Sequence, residues 1–199
     1  MKKILLTAVG VIALGAAVQA TPITFTFLEN GDNVNLGTSS TFTQSGSQVE
    51  AWALGANAGD LYAKNHGGDE NGLGLTSDPS GDHEITAGTY VQILGLGGFT
   101  LSSISIGSDT PPDGAAVYWS TTEGTGGLHL IGDFGSDQTV NVSAWGSDYI
   151  TLGATAGNVL LDGAIGTQPV TTVPDGGSTV LLLGSVLTGI GLIKRKLMA

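Results

Sequence analysis

Residues Phe99–Gly107 read FTLSSISIG, and their apolar pattern changes parity in the middle. Side chains of an extended chain alternate between two faces, so Phe99 and Leu101 share one face while Ile104 and Ile106 fall on the other. Burying all four on one side requires an extra residue, a bulge or bend at Ser102 or Ser103. A strand that bends to keep its apolar side chains inward suits two packed antiparallel sheets.

Similar short runs lie on either side. ITFTF (23–27) puts Ile23, Phe25 and Phe27 on one face and Thr24 and Thr26 on the other. The remaining strand candidates are QVEAWAL (48–54), DLYAK (60–64), TYVQILGL (89–96), AAVYWST (115–121), LHLIGDF (128–134), QTVNVSAW (138–145), DYITLGA (148–154) and NVLLDGAI (158–165). With the bent segment they make about ten strands separated by turn residues. No helical period appears between residues 21 and 172, and no repeat of fixed length suggests a solenoid or propeller. The expected fold is all-β, an antiparallel, jelly-roll-like β-sandwich over 21–172.

Composition agrees with many turns and a core held by packing alone. The 199 residues include 33 glycines and no cysteine, which removes disulfides and thiolate metal sites. Five of the six bases, Lys2, Lys3, Lys194, Arg195 and Lys196, sit at the two ends. Between them Lys64 is the single base against 17 acids. Such a body repels nucleic acid and anionic lipid by Coulomb repulsion, so no nucleic-acid partner is expected.

Both ends read as addresses. MKKILLTAVGVIALGAAVQA (1–20) carries a basic start, an apolar run and a small-x-small site, the order of a signal peptide cleaved between Ala20 and Thr21. At the other end the uncharged run Gly176–Ile193 is about 27 Å long as a helix, near the thickness of a hydrocarbon core. The sequence therefore predicts a transmembrane helix within 173–199, with the cluster Lys194, Arg195, Lys196 on its cytoplasmic side and the body exported.

A motif, an apolar helix and a basic tail at the C-terminus resemble the PEP-CTERM class of sorting signals, which membrane proteases called exosortases recognise in Gram-negative bacteria. Val173, Pro174, Asp175 and Gly177 are similar to the VPDSG-CTERM variant, with Gly176 where that variant has Ser. The resemblance implies that Val173–Gly177 is the recognition and cleavage region, with exosortase as processing partner. It also implies a transient membrane anchor, and a final location at the cell surface or in an extracellular polysaccharide matrix. The stretches LYAKNHGGDENGLGLTSDPSGDHEI (61–85) and VNVSAWGSDYITLGATAGNVLLDGAI (140–165) resemble, more loosely, the sandwich domains of other PEP-CTERM proteins, which supports the fold and implies no reaction.

Reactive side chains concentrate in one segment, Lys64–Glu84. Asp69, Glu70, Asp78, Asp82 and Glu84, with Asn71 as a neutral oxygen donor, are the hard ligands calcium takes on a turn-rich loop, and calcium is the candidate ion. Crowded carboxylates repel one another unless a cation neutralises them. A solvated loop with Asx turns is the competing reading; the spacing matches neither an EF-hand nor a nonapeptide calcium repeat. His66, His83 and His129 are far apart and no HExxH motif occurs, which argues against zinc.

Acyl-transfer and nucleotide motifs are absent. The expected body is non-catalytic, a surface or matrix module for calcium or polysaccharide. The alternative is a small polysaccharide-active hydrolase or lyase, which needs a groove with two carboxylates and an aromatic lining. Trp52, Trp119 and Trp145 are the rings that could stack on sugar; as core residues they would instead pack inward.

Overall fold

The computed structural model describes residues 20–28, 30–67, 70–107, 113–135, 137–169 and 176–198. Residues 20–169 form one compact unit, and the C-terminal helix belongs to another. Residues 1–19 of the expected signal peptide (1–20) and the motif residues Val173, Pro174 and Asp175 lie outside the described residues.

The body is all-β. Its strands are β1 (Pro22–Phe25), β2 (Val34–Gly37), β3 (Ser39–Gln44), β4 (Ser47–Leu54), β5 (Leu61–Asn65), β6 (Asn71–Leu75), β7 (Tyr90–Leu96), β8 (Thr100–Gly107), β9 (Gly114–Ser120), β10 (His129–Gly135), β11 (Gln138–Asn141), β12 (Tyr149–Ala156) and β13 (Leu160–Thr167). Two antiparallel sheets pack as a sandwich. One runs β11-β8-β13-β6-β5-β2, with β1 paired to the end of β13 that follows its single bridge to β6. The other runs β10-β9-β12-β7-β4-β3.

The parity change in FTLSSISIG is a bulge. Leu101 faces Gly166 and Ser103 faces Ile165, which leaves Ser102 as the extra residue of β8. Its hydroxyl donates to the Ile165 carbonyl at 3.0 Å. Phe99, Leu101, Ile104 and Ile106 are all buried in the core as a result. Four phenylalanines link the layers: Phe99 meets Phe25 edge-on at 5.4 Å between ring centroids, Phe25 lies 6.5 Å from Phe27, and Phe27 meets Phe42 edge-on at 5.1 Å. Phe25 belongs to the seven-stranded sheet and Phe42 to the six-stranded one, so Phe27 bridges the two.

Three strands were not anticipated: β2 (VNLG), β3 (SSTFTQ) and β6 (NGLGL). Glycine, asparagine and hydroxyl side chains read as turn material, yet the glycines of β6 are there for close approach. A Cβ on Gly72 would lie 2.4 Å from the Leu161 carbonyl oxygen, and one on Gly74 would lie 1.7 Å from that of His83.

The C-terminal segment forms a helix, α1 (Gly176–Leu197). Here the expectation of a transmembrane helix is corrected: among the described residues no helix is long and apolar enough to cross a membrane. Gly176, Gly177, Ser178 and Thr179 fill its first turn, Gly184, Ser185, Thr188, Gly189 and Gly191 dilute its aliphatic residues, and Lys194, Arg195 and Lys196 occupy its last.

Candidate functional site

Lys64, on β5, is 2 % exposed, and the loop 76–84 closes over the row it shares with Tyr62. Tyr62 stands opposite Gly74 and Lys64 opposite Gly72, so the neighbouring strand offers no side chain in the way. His83 rests on Tyr62 with ring centroids 4.0 Å apart, and its carbonyl accepts from Leu75 N–H at 3.1 Å. Glu84, equally buried, places Oε1 2.7 Å from Lys64 Nζ, and Glu70 Oε2 approaches the same ammonium at 3.3 Å. His66 Nδ1 lies 3.3 Å from Glu70. Burial of Lys64 disfavours its charge, but hydrogen bonds and attraction from Glu84 and then Glu70 outweigh this and raise its pKa.

Sequence offered Asp69, Glu70, Asn71, Asp78, Asp82 and Glu84 as sources of some ligands of a calcium site, with a solvated loop as the competing reading. The structure gives the described members separate tasks. Lys64 Nζ is itself the cation that pairs with both Glu70 and Glu84. Asn71 accepts from Gly67 N–H at 3.1 Å, Asp82 is exposed, and Asp69 lies outside the described residues. Among the described residues no group of three or more His, Cys, Asp or Glu could hold a metal ion.

Asp78 organises the loop. Its carboxylate accepts from Ser80 N–H at 3.0 Å, Ser80 Oγ at 2.7 Å and Glu84 N–H at 3.2 Å. Burial works to raise its pKa, but these hydrogen bonds, from Ser80 first, and the nearby His83 hold it below the ordinary aspartate value. A depressed folded-state pKa means stability that is present above the unfolded value and lost as pH falls through the folded one. The stability gap between wild type and Asp78→Asn is therefore expected to be widest at neutral pH and to close below about pH 4. Urea denaturation of both at neutral and acid pH measures it; a gap independent of pH would remove Asp78 from this role.

Of the tryptophans, Trp119 stacks on His129 with centroids 4.6 Å apart and packs, like Trp145, against the core. Trp52 does not. It faces outward from the six-stranded sheet, in a row that register defines as Leu130, Tyr118, Thr151, Gln92, Trp52 and Ser39. Trp52 meets Tyr149 at 5.6 Å and Tyr90 meets Tyr118 at 6.3 Å. Between these two pairs the 121–128 loop is tied down: Gln92 accepts from Gly124 N–H at 2.9 Å and donates to Gly124 O at 3.3 Å and to Thr151 Oγ1 at 2.9 Å. Sequence reasoning missed Tyr90, Tyr118 and Tyr149; the alternation of TYVQILGL and AAVYWST around their buried aliphatic residues was the available signal.

A shallow recess of about 200 Å³ at the edge of the other sheet holds Asp137 and Asp162, the latter the bulged residue of β13, but its lining contains no aromatic ring. At the chain's ends, Ala20 and Thr21 are exposed directly before β1. Gly176 and Gly177 open α1, and the three cations lie in its last turn, where the helix dipole favours them.

Residues 172–197 match the VPDSG-CTERM motif. That match takes in the helix and its basic end, and it supports export and sorting to the surface. No curated protein and no solved structure matches the chain.

Proposed function

We propose that this is an exported protein processed by an exosortase, whose mature β-sandwich is a non-catalytic, polysaccharide-binding component of the cell surface or extracellular matrix. The observation that carries the reading is the VPDSG-CTERM match over 172–197, coincident with a discrete C-terminal helix that ends in three cations. Support for a separable body comes from its core, whose buried residues run from Phe25 to Ala164, all within the compact unit 20–169. Support for a matrix ligand comes from the amphipathic rings on the outer sheet face. In this reading the signal peptide leaves at Ala20, the sorting helix leaves near Val173–Gly177, and the sandwich is what remains.

Expression in an exosortase-bearing Gram-negative host, and in the same host lacking that enzyme, tests processing. Terminal sequencing is expected to find the chain ending near Val173–Gly177 in the first and retaining residues 176–199 in the second. Retention in both overturns the sorting half. Incubation with glycans is expected to leave their chain length unchanged; shortened products would favour a hydrolase or lyase instead.

A further inference from the structure

We propose that the outer face of the six-stranded sheet is the polysaccharide-binding surface, and that it takes an uncharged, hydroxyl-rich glycan chain on its two aromatic pairs, Trp52–Tyr149 and Tyr90–Tyr118. This rests on the binding reading above and assigns it a site and a ligand class.

The solvent face of an antiparallel sheet is ordinarily polar. Here phenylalanine and tyrosine are placed differently. Phe25, Phe27, Phe42 and Phe99 are fully buried in the core. Three of the four tyrosines and Trp52 instead stand on one outer face, each half-buried. Tyrosine and tryptophan offer a flat apolar surface with a polar edge, the two features a pyranose presents in return: an apolar ring face and a rim of hydroxyls.

The platforms are held in place. Gln92, Thr151 and Ser120 are fully buried on the same face. Gln92 bonds both Thr151 and Gly124, and Ser120 Oγ donates to Thr122 O at 2.7 Å. Along β12 the outward positions are Tyr149, Thr151 and Gly153, which register opposite Ser120, Tyr118 and Ala116. The tethered loop thus crosses the middle position and leaves one ring pair on either side. Gly153 gives Tyr90 its seat, since a Cβ there would lie 2.5 Å from the Tyr90 ring. Trp52 and Tyr118 are three strand intervals apart, roughly 14 Å, so the surface suits an extended chain better than a single sugar. Rings fixed before binding lose little freedom when the ligand arrives.

Charge selects the class. Glu50 stands two positions from Trp52 on β4 and Asp133 lies opposite Ala116, two positions from Tyr118, and within residues 20–169 the single base, Lys64, is buried on the other sheet beneath the 76–84 loop. An anionic polymer meets only repulsion, whereas carboxylates accept hydrogen bonds from the hydroxyls of a neutral one.

The full-length chain in a sugar-free detergent, run through native gels containing laminarin, xyloglucan, galactomannan or alginate, reads this out. At least one neutral glycan is expected to retard the wild type. Trp52→Ala with Tyr118→Ala is expected to weaken that retardation about tenfold or more, while His66→Ala, on the other sheet, leaves it unchanged. Trp52→Phe with Tyr118→Leu, a milder pair that keeps the sheet filled, should give an intermediate loss and covers the case in which the alanine variant does not fold. Equal retardation of wild type and both double variants, or retardation by alginate alone, overturns this assignment and leaves polysaccharide binding standing. No retardation by any of the four glycans overturns the binding reading itself.

Discussion

Replacing Lys64 by Met is expected to cost about 3–5 kcal/mol, because it strands the Glu84 carboxylate in the interior without its cation. The pair is 2.7 Å apart, with side-chain exposures of 2 % for Lys64 and 4 % for Glu84, so water cannot take the place of the lost partner. Glu70, at 27 % exposure, can still turn to solvent and adds less. The double variant Lys64→Met with Glu84→Leu should recover most of the loss, since a well-packed apolar pair often does as well as a buried ion pair. Equilibrium urea unfolding of the wild type, the single and the double variant checks both statements. A single variant within about 0.5 kcal/mol of wild type would show that the pair is open to water. The same variants locate the loop's anchor: Glu84 and Asp78 lie on one short loop, joined by the Glu84 N–H bond to the Asp78 carboxylate, so losing the ion pair should also raise amide exchange at Ser80.

Phe27→Ala is expected to cost about 3–5 kcal/mol, the range for deleting a buried aromatic ring and leaving a cavity. Phe27 is fully buried and touches both neighbours in the chain of rings, Phe25 and Phe42, so its loss opens a gap between the two sheets. Its backbone has φ near 60°, a conformation that a bulky residue rarely adopts. Phe27→Gly separates the two contributions. Glycine relieves the backbone and deletes the same ring, so it should not fall below alanine despite being smaller. Thermal unfolding would read either change as a lower midpoint, by about 2–4 °C per kcal/mol for a body of this size. If Phe27→Ala melts with the wild type, the ring does not hold the layers together.

Some of this molecule was legible along the chain because the deciding interactions are local. The alternation in ITFTF and the parity change in FTLSSISIG announced a bent strand in a two-layer fold, and Ser102 occupies the bulge. The order of motif, apolar run and basic cluster at 173–196 announced the sorting signal that the VPDSG-CTERM match bears out. Strands β2, β3 and β6 escaped notice because their glycines and hydroxyls have turn chemistry, and in β6 only a neighbouring backbone explains why no larger side chain fits.

The candidate sites were less legible, for a physical reason. Residues Asp69 to Glu84 form one acidic run along the chain, and repulsion within it called for a cation. Sequence proximity pointed to a metal ion. The hairpin β5–β6 carries Lys64 beneath the returning loop, and one buried ammonium pairs with two of the acids. Likewise all three tryptophans look alike in sequence, but pleat direction turns Trp119 to the core and Trp52 to solvent, and strand register brings Tyr118 and Trp52, 66 positions apart in the chain, into one row. Alternation, turn chemistry and the sorting motif are properties of a few consecutive residues, and the sequence by itself determined them: an all-β body followed by a C-terminal sorting signal. Which charge meets which depends on how the β5–β6 hairpin and its returning loop close, and which rings share a face depends on strands distant in the chain pairing side by side, and that only the tertiary structure decided.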